Sequence, residues 1–144
     1  MKLELITLGG VKMDEEVYEV LIPTESGRIA VYPGHERLVT LAIPGVVQVL
    51  RQPNALDEEI FVINGGIVEV NPQVIRILVD EAENAEEIVA AEAEAAIERA
   101  KQHLAAAKDQ ITVNEAQAML NRHTVRLKVA TLRRKRRIGS LPRE

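Results

Sequence analysis

The sequence has no cysteine and no tryptophan, and only one phenylalanine and two tyrosines among its 144 residues. Without a thiol there is no disulfide framework, no thiolate zinc site and no cysteine nucleophile. With so few rings, the chain lacks the platforms on which single-stranded nucleic acid stacks. Serine is nearly absent: Ser26 and Ser140 are the only two, and neither sits in a nucleophile elbow. His35, His103 and His123 are far apart, and His35-Glu36 lacks the second histidine of a zinc-protease helix. No run approaches the roughly 18 apolar residues of a membrane span, and no basic stretch followed by an apolar one opens the chain. These absences predict a soluble, non-secreted protein with no catalytic residues, no metal and no cofactor. Its work should be binding, spacing or regulation.

What is present changes character near residue 82. Residues 1–81 hold seven of the eight glycines and five of the six prolines, whereas residues 82–107 hold eleven alanines and neither Gly nor Pro. Short Val/Ile/Leu runs fill the first block: 3–6, 17–22, 29–32, 38–43, 46–50, 60–63, 67–70 and 74–79. Turn signals separate them, among them Gly9-Gly10, Ser26-Gly27, Pro33-Gly34, Pro44-Gly45, Asn64-Gly65-Gly66 and Asn71-Pro72. Connections this short exclude crossover helices and predict an antiparallel β-sandwich over residues 1–81. Asn64-Gly65-Gly66 is expected to be a hairpin turn, since no Lys-Ser or Lys-Thr follows at phosphate-loop spacing.

The second block, residues 82–144, reads as an antiparallel helical hairpin. Asn84 with Glu87 predicts an N-cap and a first helix over about 85–107, whose narrow stripe is Ala93, Ile97, Ala100, Leu104 and Ala107. Residues 108–111 form the connection, and Thr112 with Glu115 predicts a second capping box. On the second helix Ala116, Leu120, His123, Leu127 and Ala130 share one face, which predicts a seam position for His123. Val125, Val129 and Leu132 lie roughly opposite, so this helix is apolar on two sides, which fits either scattered surface apolar residues or a helix that packs in two alternative places.

Charge is divided just as sharply. Residues 1–121 carry 9 Lys/Arg and 21 Asp/Glu, while residues 122–144 carry 9 Lys/Arg and one Glu. Arg122, Arg126, Arg133 and Arg137 fall within a narrow sector of the helical wheel, and Arg134, Lys135 and Arg136 thicken the rail. Such a rail suits an acidic protein segment, nucleic acid or an anionic membrane surface. The acidic first 121 residues and the missing aromatics weigh against nucleic acid and lipid.

Residues 26–35, Ser-Gly-Arg-Ile-Ala-Val-Tyr-Pro-Gly-His, followed by Arg37-Leu38-Val39-Thr40, resemble the signature of the epsilon subunit of bacterial and chloroplast ATP synthases. Asn64-Gly65-Gly66-Ile67-Val68-Glu69-Val70 is similar to that family's Gly-Gly hairpin, and residues 74–79 to its last strand before the helices. The likeness runs to about Leu132 in the same order. It implies a non-catalytic rotor subunit of the central stalk of a proton-translocating F-type ATP synthase. The partners it implies are the gamma subunit and the c-ring for the sandwich, and acidic segments of the alpha/beta head for the hairpin. The hairpin would inhibit ATP hydrolysis through the basic helix (Arg122, Arg126, Arg133, Arg134, Lys135, Arg136, Arg137). Arg28, Tyr32, Pro33, Gly34 and His35 are the implied interface residues. Location would be peripheral, on the cytoplasmic face of the bacterial inner membrane or the stromal face of the thylakoid.

Two departures stand out. Some members bind ATP through Ile/Leu-Asp-x-x-Arg-Ala at the first helix, but here Ile88 is followed by Val89 and, at the arginine position, by Glu92. A carboxylate there repels phosphate, so no strong ATP site is expected. Arg28 and Ala30 stand where the family often has Glu and Gly.

Overall fold

The structure, a computed structural model, describes the backbone of residues 1–139 and the side chains of residues 1–132. The described chain divides into two compact units, the first ending at Asn84.

The first unit has eight strands: β1 (Lys2–Thr7), β2 (Gly10–Glu16), β3 (Glu19–Thr24), β4 (Gly27–Val31), β5 (Leu38–Leu50), β6 (Glu59–Val70), β7 (Val74–Val79) and β8 (Ala82–Asn84). Their hydrogen-bonded order is β2-β1-β7-β6-β5-β3-β4, with β8 also on β6. This is the expected β-sandwich, with one ladder of different sense: β1 runs parallel to β7. Alternation sets the inner face. Leu3, Ile75 and Val70 form one fully buried cross-strand row, and Leu5, Ile77 and Val68 the next. Burial of each such side chain contributes about 1.5–3 kcal/mol.

Two expected turns are strand interiors instead. Pro44-Gly45 lies within β5 and Asn64-Gly65-Gly66 within β6, and Pro44 faces Asn64 across the ladder. The glycines serve a corner. β6 pairs with β8 through Phe61–Ile63 and with β7 from Gly66 onward, so the strand bends between its two partners. Gly65 sits at φ +97, and a Cβ on Gly66 would lie 2.2 Å from the Leu78 carbonyl oxygen. Only glycine permits that approach. On the other side, β5 advances from Ala42 to Gln48 while β3 covers only Leu21 to Thr24, and Gly45 accepts the Pro23 ring, 3.2 Å from where a Cβ would sit.

The second unit holds α1 (Ala90–Ala106) and α2 (Gln110–Gly139), packed on each other. Both expected caps move. Asn84 is spent in β8, where its side-chain amide donates to Glu59 Oε1 at 3.0 Å, so α1 begins after Val89, which offers no capping side chain. Glu87 accordingly precedes the helix. Asp109 caps α2 in place of Thr112: its carboxylate accepts from the Thr112 N–H at 2.8 Å and from the Thr112 hydroxyl at 3.0 Å. These bonds hold the Asp109 carboxyl below its ordinary pKa. Thr112 then lies inside the first turn. Ala93, Ala96 and Ala100 of α1 and Ala116 and His123 of α2 are buried, with Leu120 and Leu127 half-buried.

Candidate subunit interface

The outward face of β5, β6, β7, β1 and β2 is built by the same alternation that fills the core. Register places Leu41 opposite Ile67, Ile67 opposite Leu78, Leu78 opposite Ile6 and Ile6 opposite Val11. The result is one apolar row crossing five strands, about 19 Å long at ~4.8 Å per strand. Leu41 is 61% exposed and Val11 63%, and Val39, at 72%, extends the patch along β5. Leu8, in the β1–β2 turn, is almost wholly exposed at one corner. A contiguous exposed apolar surface of this kind marks an interaction site.

Beside it runs a charged row with its own register: Val39, Glu69, Arg76, Glu4 and Asp14. Arg76 Nε donates to Glu4 Oε2 at 2.8 Å and Nη1 to Glu69 Oε2 at 3.4 Å, while Lys2 Nζ lies 2.9 Å from Asp14 and 3.4 Å from Glu4. The Arg76 guanidinium, then Lys2, holds the Glu4 carboxyl below its ordinary range against partial desolvation. Each of these charges has a partner of opposite sign within the chain, three carboxylates sharing two cations, so a partner subunit can approach the row without facing a charge that lacks a counterpart.

The sequence-derived interface residues occupy the β4–β5 region. Arg28 is exposed on β4 and donates from Nη2 to Gln48 Oε1 at 2.5 Å; Gln48 in turn donates to Glu58. Tyr32, Pro33, Gly34 and His35 form a tight turn: the His35 N–H donates to the Tyr32 carbonyl at 3.1 Å, with Gly34 at φ +83. Proline then glycine at the central positions is the type II pattern. The Gly34 N–H donates to the Pro72 carbonyl at 3.0 Å, fastening this loop to the β6–β7 loop. His35 Nδ1 donates to the Glu36 carbonyl at 2.7 Å. The Tyr32 ring meets Tyr18 edge-on at 5.7 Å, and its hydroxyl, bonded to Glu19, is held above its ordinary pKa.

On α2, Arg122 and Arg126 are half-buried, and Arg126 Nη1 lies 3.1 Å from His123 Nδ1. A guanidinium has no acceptor, so Nδ1 receives that bond. Arg133, Arg134, Lys135, Arg136 and Arg137 lie outside the residues whose side chains are described. The two-sided apolar face is altered in one respect: Val129 is already buried, while Val125 is half-buried and Leu132 exposed. Ile88 is buried, Val89 occupies the position just before α1 without a capping bond from its side chain, and Glu92 is exposed in the first turn of α1. Among the described residues no group of side chains could hold a metal ion, and no helix is long and apolar enough to cross a membrane.

The apolar row itself was missed in the sequence. A signal existed: residues 38–43 are apolar on both faces apart from Thr40, and a strand with one solvated face alternates instead.

Comparison with known proteins agrees with this architecture. Residues 1–85 match the model of the ATP synthase delta/epsilon chain β-sandwich domain. The chain is 37% identical to the ATP synthase epsilon chain of Herpetosiphon aurantiacus over 136 residues, 94% of this chain and 98% of that one. It is 37% identical to the epsilon chain of Moorella thermoacetica over 130 residues, covering 90% and 96%. Its fold is similar to a chain in the Euglena gracilis mitochondrial ATP synthase OSCP/F1/c-ring assembly, with a TM-score of 0.75 and 27% identity over 90% of this chain and 79% of that one. The chain therefore belongs to the ATP synthase epsilon family, the non-catalytic stalk subunits of that rotary complex.

Proposed function

We propose that the sandwich grips the gamma subunit through the Leu41–Ile67–Leu78–Ile6–Val11 row, while the β4–β5 region (Arg28, Tyr32, Pro33, Gly34, His35) meets the c-ring and neighbouring stalk. The observation that carries this reading is the exposed apolar row, a surface that is costly to leave in water and of the kind a permanent partner covers. Rotation of the ring is then transmitted through a rigid β body to the shaft during ATP synthesis. The helical unit supplies the inhibitory function: its basic helix meets acidic segments of the alpha/beta head and opposes rotation in the hydrolytic direction. In a bacterial or plastid setting this places the subunit on the cytoplasmic or stromal side of the membrane, held there by the complex.

Replacing Ile67 or Leu78 with Asp tests the grip. Each side chain points to solvent in the isolated chain, so the fold should persist by circular dichroism, while the variant subunit should be lost from the purified complex. Full retention of both variants through purification would remove the row from the interface.

A further inference from the structure

We propose that Arg37 receives a carboxylate, Asp or Glu, from the subunit that covers the apolar row; this rests on the reading of that face as a subunit interface and adds the chemistry of its partner. Arg37 immediately precedes β5 and lines a shallow cleft with Leu38, Val39, Glu69, Val70 and Asn71. The cleft opens where the exposed Val39 ends the charged row and adjoins the apolar one.

The other arginines of the sandwich are engaged within the chain. Arg28 donates to Gln48, Arg51 to Glu15 and Glu59, and Arg76 to Glu4 and Glu69. Arg37 is exposed and makes no hydrogen bond or ion pair with the described residues; the adjacent Glu36 does not bond to it, and the acceptors at the cleft are engaged elsewhere. Asn71 Oδ1 accepts from the Gln73 and Val74 N–H groups, the Pro72 carbonyl accepts from Gly34, and Glu69 is held by Arg76. Water satisfies the five donors of this exposed guanidinium in the free chain; a partner that covers the adjoining apolar row displaces that water, and an acceptor from the partner then takes its place. A planar fork matches a carboxylate, which it can hold with two parallel bonds. Glu36, next to it in the loop, and Glu69, in the cleft, set the limit on that ligand: they repel a polyanion such as a nucleic acid or an anionic membrane, while leaving room for a single carboxylate on an apolar protein surface.

The test uses the assembled complex. Arg37→Glu, Arg37→Lys and Ile67→Asp are compared with the parent chain for retention in rising salt, each checked for an unchanged circular dichroism spectrum. Arg37→Glu should weaken retention about five- to tenfold at low ionic strength, with the deficit shrinking as salt rises, and Arg37→Lys should keep most of the affinity. A photo-crosslinking amino acid at position 37 should capture a partner peptide with Asp or Glu within a residue or two of the attachment point. If Ile67→Asp releases the subunit but Arg37→Glu does not, or if the crosslink falls only within this chain or on a segment lacking a carboxylate, the assignment to Arg37 is wrong while the interface stands. If Ile67→Asp leaves retention intact, the interface reading fails and the Arg37 proposal with it.

Discussion

Gly66 illustrates how a single residue positions the sandwich. A methyl group there would meet the Leu78 carbonyl oxygen at 2.2 Å and Val79 Cγ1 at 2.7 Å. The first of these is backbone in the neighbouring strand, so it can yield only by moving β7. Gly66→Ala should therefore destabilise the sandwich by about 1–3 kcal/mol, the range for forcing atoms into a packed site. Urea unfolding of the full chain measures it; an unchanged midpoint would mean that β7 shifts at little cost. The sequence held this residue in plain view but not its role. Asn-Gly-Gly is a hairpin signal and equally a corner signal, and the two differ only in whether the flanking strands pair with each other or both with a third. That is a matter of long-range register. The Pro33-Gly34 turn was legible because φ preferences and short-range hydrogen bonds determine a turn locally.

At the scale of elements, the amphipathic helices were readable and their ends were not. Ala93, Ala100 and Ala116 are buried as their periodicity requires, but capping depends on which oxygen reaches which N–H. Thr112 with Glu115 has the spacing of a capping box, yet Asp109, three residues earlier, takes the Thr112 N–H. The strands β2 and β8 were invisible for a different reason. β2 has a single buried residue, Met13, amid exposed charges that suit an edge strand, and β8 is three residues long. Asp109 carries a testable pH dependence. Its carboxyl pKa is lowered in the folded chain, so the stabilisation is fully present above the unfolded value and is lost as pH falls through the depressed folded value. Asp109→Ala should shorten α2 at neutral pH, and the difference from the parent should shrink as the solution is acidified past the ordinary carboxylate range. Melting curves followed by far-UV circular dichroism across that range check it. A difference that stays constant into strong acid would show that the cap is not the ionised carboxylate.

On the scale of the whole molecule, the abrupt change of composition near residue 82 pointed to a two-part chain, one part all β and one all α. The apolar interface row did not emerge, because it is a property of five strands in register rather than of any one segment. The helical unit poses the remaining quantitative question. Driving a two-state element from 1:99 to 99:1 takes about 5.5 kcal/mol of differential binding. Exposed ion pairs contribute about 0–1 kcal/mol each, so the basic rail supplies only part. Val129 cannot add new burial, since it is buried already. Among the described residues, Leu132, Met119 and Ile111 are the exposed large apolar side chains that α2 can offer a second partner. Inhibition should therefore depend on charge and on apolar contact together. Deleting residues 85–144 from the assembled complex should raise ATP hydrolysis while the sandwich stays bound. Neutralising Arg126, Arg133 and Arg137 should reproduce a fraction of that rise, larger at low salt, and adding Leu132→Ser should recover more of it. Steady-state ATPase rates of the three complexes decide the matter. If the deletion leaves hydrolysis unchanged, the helical unit does not inhibit. If the arginine variants match the deletion at every salt concentration, the apolar contribution is not needed.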